Sequence, residues 1–434
     1  MPKNSRDRTD IKSASKGYGS VSTRSQTKDE RDKKKQREAE EARKRAKAVA
    51  AARAKEIADR PAAKAGTRND VNFHAAFIQM GQGDCTIMCT PEGRIVMVDC
   101  GSDSYREVIT DDEDLPDAGE DEDEDEEKET AGDREALRRI ISGTLNHAKF
   151  LKSSNTVDLL ILTHPDADHY NKLSAVMDDS VEFLKVYHSK PRAAYAKGST
   201  SAWILNHAAD ERLIFEVDHH ENGGDQVIEL NGETVPEPDE DEDPPEGGVL
   251  DGDGGILILD EPNCKISLLS GNVNTIAHKD HSTPANRGSL VVLIELFGKK
   301  KLLMSGDATL NTEQYVVDYH ADRIKGVDLA TASHHASDNT SSLPAYVRAV
   351  QPKQLLVSAG KQIRMHHLPS EAVLDRYKDV MKKAEKIPEH TLYFWSKGKL
   401  NSYFPESEKT TLPIYITGSR GTWQYSILAK DNTK

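Results

Sequence analysis

Cysteine is scarce in this sequence: Cys85, Cys89, Cys100 and Cys264 are spread over 434 positions with no CxxC pair. That spacing argues against a disulfide framework and leaves reduced thiols as the expectation. Long apolar runs are also missing. None approaches the roughly 18 to 20 residues of a membrane span, and the N-terminus carries no apolar signal segment. A soluble, cytoplasmic chain with no membrane contact is expected. Large apolar side chains are nearly absent from residues 1–68, and the tracts 111–129 and 236–248 are almost wholly acidic or turn-forming. Such segments cannot bury enough apolar surface to offset the entropy of ordering them.

These absences divide the chain. Residues 1–68 form a charged N-terminal extension, expected to be disordered and then, over 28–60, a solvated helix of Ala, Glu, Lys and Arg with no apolar stripe to bury. Residues 70–430 form one folded domain with acidic insertions at about 109–133 and 234–254. The net charge of −15 sits largely in those insertions, while the extension is basic, so net charge says little about any functional face.

Within the folded part, short apolar runs alternate with helical periodicity. HAAFIQM, CTIMCT and RIVMVD read as strands around the turn PEG, and Leu137, Ile140, Ile141 and Leu145 recur at helical spacing. Further strands are predicted at VDLLILT, VEFLKVYH, GILILD, KISLLS, SLVVLIEL, KKLLMS and QLLVSAG, with helices near 311–323 and 370–384. Two rounds of strands with helices between them, and no Gly-rich phosphate loop, favour an α/β domain of two sheets packed face to face.

The chemistry concentrates at strand ends. VDLLILT runs into HPDADH, which offers His164, Asp166, Asp168 and His169 within six positions. Imidazole and carboxylate suit Zn²⁺, Mn²⁺ or Fe²⁺, although one such string is also compatible with a polar turn. The same ending recurs: LLMSGDA delivers Asp307, and LATASHHAS delivers His334 and His335. Three apolar strands that all end in ligand-type residues are hard to assign to packing. GQGD (81–84), with Asp84, reads either as an anion-facing turn or as a plain hairpin turn, and NRGS, with Asn286 and Ser289, as a substrate contact or a strand start. Tyr187 and Trp203 suit base stacking or, more ordinarily, the core.

Taken in order, VDCG with Asp99, HPDADH, SGDA and SHHAS resemble the metallo-β-lactamase superfamily. MGQGDCTIM, NRGSLVVLIELFGKKKLLMSGDA, SHHASDNTS and HHLPSEAVLDRY are similar, more narrowly, to the soluble hydrolase domain of ComEC-type competence proteins. The resemblance covers about residues 73–430. It implies an αββα sandwich and two divalent metal ions, Zn²⁺ or Mn²⁺, with single occupancy an alternative. It assigns His164 and Asp166 to one ion, Asp168 and His169 to the other, Asp307 as the bridge and His334 as the completion of the second site. Asp99 would orient ligands, and His367 would meet the substrate or its leaving group. Asp168 or Asp307 would receive the proton of the attacking water. The chain departs from the family in HHAS for HHGS, in MHHLP for GHP, and in Asp166 where histidine is commoner. The separate histidine usual between HPDADH and the bridging aspartate has no secure counterpart; His188 is the nearest candidate.

The function implied by the resemblance is a metal-dependent phosphodiesterase acting on nucleic acid or nucleotides. A hydrolase of a small ester, lactone or signalling nucleotide stands beside it, as does a non-catalytic metal-binding protein that meets a protein partner through residues 28–60 or the acidic loops.

Overall fold

The computed structural model describes residues 71–432, apart from 104, 106–130, 147–155, 178–179, 217–225, 230–248, 251–254, 274–275, 280, 362–365 and 400–401. The expectations for the N-terminal extension and most of both acidic insertions therefore fall outside the described residues. Among the described residues, no helix is long and apolar enough to cross a membrane.

Two mixed sheets make the body of the domain. The first holds β1 (Phe73–Phe77), β2 (Thr86–Cys89), β3 (Ile95–Val98), β4 (Thr156–Leu162), β5 (Glu182–His188), β6 (Glu211–Glu216) and β7 (Gln226–Glu229), with β18 (Trp423–Ile427) added beside β1. The second holds β8 (Val249–Leu250), β9 (Ile256–Glu261), β10 (Cys264–Ser270), β11 (Val291–Leu296), β12 (Lys300–Met304), β13 (Leu329–Thr331) and β14 (Leu355–Val357), with β17 (Ile414–Ile416) beyond β14. A separate hairpin joins β15 (His390–Lys397) to β16 (Tyr403–Thr410).

The continuous apolar runs follow from this layering, because a strand covered on both faces has no polar side to show. Along β4, Leu159 and Ile161 point between the sheets, where they meet residues such as Ile266, Val292 and Met304. Their neighbours Leu160 and Leu162 point outward, under Leu137, Ile141 and Leu145 of the helix Ala131–Asn146. The second sheet repeats the scheme: Val291, Leu293 and Leu303 face Val316 and Ile324 of the helix Leu310–Ile324. Helix, sheet, sheet and helix are thus the αββα order expected from the sequence. Tyr187 and Trp203 are buried in these cores.

The register then gathers the chemistry. Strands β3, β4 and β5 run parallel, as do β12, β13 and β14, so their C-terminal ends share one rim of the sandwich. Asp99, His164 and His188 follow the first three strands or end them; Asp307, His334 and Ser358 follow the other three. Loops outside the carboxyl ends of parallel strands are the usual place for a site in such sheets.

Candidate metal centre

Asp307 is the hub of the rim, and its two carboxylate oxygens have separate neighbours. Oδ2 lies 3.7 Å from His164 Nε2 and 3.4 Å from His334 Nε2, and His164 Nε2 is 3.8 Å from Asp166 Oδ2. Oδ1 lies 3.2 Å from His169 Nε2 and 3.5 Å from His335 Nε2, and His335 Nε2 is 3.3 Å from Asp168 Oδ2. Asn286 Nδ2 donates to Oδ2 at 3.3 Å. The geometry thus groups His334 with His164 and Asp166, whereas the family pattern led us to expect it beside Asp168 and His169; that place is taken by His335.

The hydrogen bonds around the rings fix which nitrogen faces inward. His335 Nδ1 lies 2.6 Å from the carbonyl of Ser358, which can only accept, so Nδ1 carries the proton. Asp99 Oδ2 accepts from His169 Nδ1 at 2.8 Å and from Thr163 Oγ1 at 2.7 Å. Thr163 has given its one proton to Asp99, so at 3.1 Å it accepts from His164 Nδ1. Thr340 donates to Ser337 Oγ and by the same reasoning accepts from His334 Nδ1 at 2.8 Å. All four imidazoles are anchored through Nδ1, which turns Nε2 toward Asp307, the orientation that metal-binding histidines need.

Those inward atoms meet chiefly one another across the hub. His164 Nε2, His169 Nε2, His335 Nε2 and Asp307 Oδ1 are buried with no hydrogen-bond partner. The charge balance points the same way. Asp84, Asp99, Asp166, Asp168 and Asp307 bring five carboxylates to one rim, and burying anions costs several kcal/mol each unless cations accompany them. The donor set, oxygen and imidazole nitrogen, fits divalent cations of the Zn²⁺ or Mn²⁺ type.

The ionisation of the side chains reflects the same crowding. Burial pulls His169 down, yet the carboxylates of Asp307, Asp99 and Asp168 outweigh it and hold the ring well above its usual range. His335 is lifted against its burial to about 9 by Asp307, Asp168 and Asp84. Asp307 is held well below the carboxylate range, because His334, His169 and His335 overcome its burial. His164, fully buried and next to His169, falls to about 3. Asp166 rises to about 6 through burial, with the charges of Asp307 and Asp168 adding to it.

Backbone strain builds the rim. His334, His335 and Ala336 have φ of 48°, 52° and 66°, and Asp99 has 55°. Non-glycine residues rarely adopt this left-handed region, and such outliers cluster where function requires them. At the SHHAS turn it lets two consecutive imidazoles reach opposite oxygens of one carboxylate. The GQGD loop is a backbone brace. A Cβ on Gly83, at φ 146°, would lie 2.3 Å from the Gly101 carbonyl and 2.7 Å from that of Asp168. The contact sets Asp84 N 3.1 Å from the Asp168 carbonyl, and Asp84 joins His169, Asp307 and His335 in a group whose ligand atoms lie within 4.8 Å of one another.

Other residues singled out from sequence lie farther off. His188 is buried, but its Nε2 faces Glu211 Oε2 at 3.5 Å. His367 stacks on Tyr403, ring centroids 4.3 Å apart, and packs edge-on to Trp395. Its neighbour His366 carries a buried Nε2 without a partner and acts electrostatically on Asp103, as do Asp168 and His335. Ser289 is buried at the start of the run into β11, where Leu290 N binds the Thr163 carbonyl at 3.0 Å. Thr163, Thr340 and His366 had no signal in the sequence beyond their adjacency to the motifs.

No family model matches the chain. A segment of 223 residues, 51% of the chain, is 27% identical to ComE operon protein 3 of Bacillus subtilis (strain 168), of which it covers 22%. The chain therefore corresponds to about a fifth of that protein's length. Among solved structures, it is similar to CmlA, a diiron β-hydroxylase from Streptomyces venezuelae, at 14% identity and a TM-score of 0.35, over 78% of this chain and 54% of that one. It is also similar to a long form RNase Z from yeast, at 12% identity and a TM-score of 0.33, over 67% and 37%. At those scores the two structures decide nothing about the site, and the sandwich and its rim rest on the geometry above. Fold and cluster together support a metal-dependent hydrolase in general terms.

Proposed function

We propose that this chain, which has the metallo-β-lactamase fold and resembles the ComEC-type hydrolase domain, is a metal-dependent phosphodiesterase acting on nucleic acid or nucleotides. The observation that carries the reading is the convergence of four Nδ1-anchored imidazoles on the two oxygens of Asp307. His164, Asp166, His334 and Asp307 Oδ2 would hold one divalent cation; Asp168, His169, His335 and Asp307 Oδ1 would hold the second. When bound, such a pair supplies Lewis acidity that eases deprotonation of water and offsets charge on a phosphoryl group.

The chain's own residues do the rest. Asp99 and Thr163 hold His169 and His164 in one tautomer, so neither ring can turn away during turnover. Asn286 steadies Asp307 Oδ2 through its amide. Asp166, 37% exposed, is the most solvent-accessible carboxylate of the set that would hold the first of these cations. Asp168 or Asp307, beside the cations they would hold, is the group that would receive the proton of the attacking water. The substrate class is what the resemblance of the motifs to the ComEC-type hydrolase domain implies.

The test is metal analysis of the purified full chain joined to a panel of DNA, RNA, mononucleotide diesters, carboxylic esters and lactones. Wild type should hold a divalent cation and prefer phosphodiesters, and Asp168→Ala should lose both metal and activity. Equal metal content and equal activity in the two proteins would overturn the reading, and preference for acyl substrates would replace the substrate class.

A further inference from the structure

The hairpin of β15 and β16 belongs to neither large sheet, and its two faces differ in chemistry. Directly opposed residues of an antiparallel pair share a face, so Thr391 with Lys409, Tyr393 with Ser407, Trp395 with Pro405 and Lys397 with Tyr403 line one of them. Leu392, Phe394 and Ser396 line the other, with Glu408, Glu406 and Phe404. That second face is packed: Leu392 and Phe394 join Val373, Leu374 and Tyr377 of the helix Glu371–Val380, Lys378 pairs with Glu408, and Ser396 donates to Glu371. The first face carries three rings and no carboxylate at its strand positions.

Cations and a fourth ring complete the first face. The ammonium of Lys361 lies 4.5 Å from the ring centroid of Tyr393, and that of Lys397 5.9 Å from the centroid of Tyr403. Both lysines are exposed, and among the described residues no ion pair engages either ammonium. Lys409 pairs with Glu389 at 3.2 Å on the surface. The imidazole of His367 stacks on Tyr403 and meets Trp395 edge-on. Two backbone routes tie this face to the SHHAS turn. Trp395 N donates to the Pro369 carbonyl at 2.9 Å, and Ser370 N donates at 3.1 Å to the carbonyl of Ala336, the residue after His335. Lys361 closely follows Ser358, whose carbonyl anchors His335, and its backbone is pressed against the helix Thr417–Arg420, where a Cβ on Gly418 would lie 2.3 Å from Lys361 N.

Rings interleaved with unpaired lysines suit a strand whose phosphates are anionic and whose bases are free to stack; a duplex keeps its bases stacked on one another and offers mainly its phosphates. We propose that this face of the hairpin is a binding track for single-stranded nucleic acid, which it guides to the metal centre. Each ammonium rests on a ring rather than on a carboxylate, so a phosphate draws it away without breaking an ion pair and leaves the ring open to a base. The assignment rests on the phosphodiesterase reading for the destination of the strand and on the face itself for its binding.

The experiment titrates the metal-loaded full chain into a fluorescent, cleavage-resistant phosphorothioate thymidine oligomer of about 12 nucleotides and reads anisotropy over a range of salt, beside a duplex of the same length. Lys361→Gln combined with Lys397→Gln should bind the single strand about ten-fold more weakly and flatten the salt slope by about 1.4, the loss of two phosphate contacts. Tyr403→Leu should weaken binding by a similar factor and Tyr403→Phe should not, with metal content as the check on folding. Phe404→Ala, which removes a ring 52% exposed on the other face, and Lys382→Gln, which removes a lysine paired with Asp379, should bind as wild type does. Wild-type affinity and slope in the double lysine variant, or equal affinity for duplex and single strand, overturns the proposal even if wild type cleaves a mononucleotide diester. Binding that depends on Lys361, Lys397 and Tyr403 in a chain that cleaves no phosphodiester keeps the track and overturns the phosphodiesterase reading instead.

Discussion

The two oxygens of Asp307 face unlike surroundings. Around Oδ1, His169 and His335 are 0% and 2% exposed and Asp168 15%, whereas around Oδ2, Asp166 is 37% and His334 21% exposed, with only His164 fully enclosed. The inner half is braced by Asp99, the Ser358 carbonyl and the GQGD loop. The outer half leans on hydroxyls, Thr163 and Thr340, and on the turn that carries Asn286 and Gly288. Preorganisation and dryness strengthen electrostatic contacts, so the inner half should hold its cation more tightly while the outer half exchanges water and substrate. That difference also locates the weak point of the sequence pattern: Asp166 in place of a histidine belongs to the half that is already more open.

The comparison can be broken most severely at its hub. Asp307→Asn keeps the shape of the side chain but removes the charge shared by both halves, and an amide cannot present two anionic oxygens. Loss of both cations and a fall in activity of about a thousand-fold or more is expected, read by elemental analysis and initial rates with circular dichroism as the control for folding. Retention of one cation per chain would mean that Asp307 is not the shared group.

A smaller effect separates the halves. His335→Ala removes an enclosed inner ring and should abolish one class of metal binding that added metal does not restore. His334→Ala, at the exposed side, should weaken the other class by about 10–100-fold and recover activity at high metal concentration. Chelator titration of wild type should release the outer cation first. Identical metal isotherms for the two variants would remove the distinction between the halves.

Much of this arrangement was legible in the sequence because the strands are covered on both faces: apolar runs such as VDLLILT stop abruptly at the rim, and the first residues after them are the ligand types. His164, Asp307 and His334 could be found in this way, and Asp99 through the resemblance carried by VDCG. The roles of the two SHHAS histidines could not, because direction there depends on three successive left-handed residues, which alanine and histidine do not announce as glycine would. The GQGD turn was ambiguous for a related reason. Its second glycine, Gly83, answers to the carbonyls of Gly101 and Asp168, contacts between segments far apart in the chain. His366 was passed over for His367 because a dipeptide does not tell which of its two rings encloses an unpartnered nitrogen.

The gentlest probe acts behind the SHHAS loop. Glu313, fully buried in the helix Leu310–Ile324, accepts the backbone N–H of Ser342 at 2.8 Å and of Leu343 at 2.6 Å, and so closes the loop that carries both His334 and His335. Burial dominates its ionisation and lifts it to about 7, from an ordinary 4.5, despite those donors. A carboxyl raised in the folded state contributes stability that is complete below the unfolded value and is lost as pH rises through the folded one. Wild type should therefore lose up to roughly 3 kcal/mol relative to Glu313→Gln between pH 4.5 and pH 8, measured by denaturant unfolding at saturating metal. Because the loop serves both halves at once, the loss should weaken both classes of metal binding in proportion and leave their ratio unchanged. A change confined to the outer class would show that Glu313 supports His334 alone, and parallel stability curves for the two proteins would show that the carboxyl does not titrate in this range.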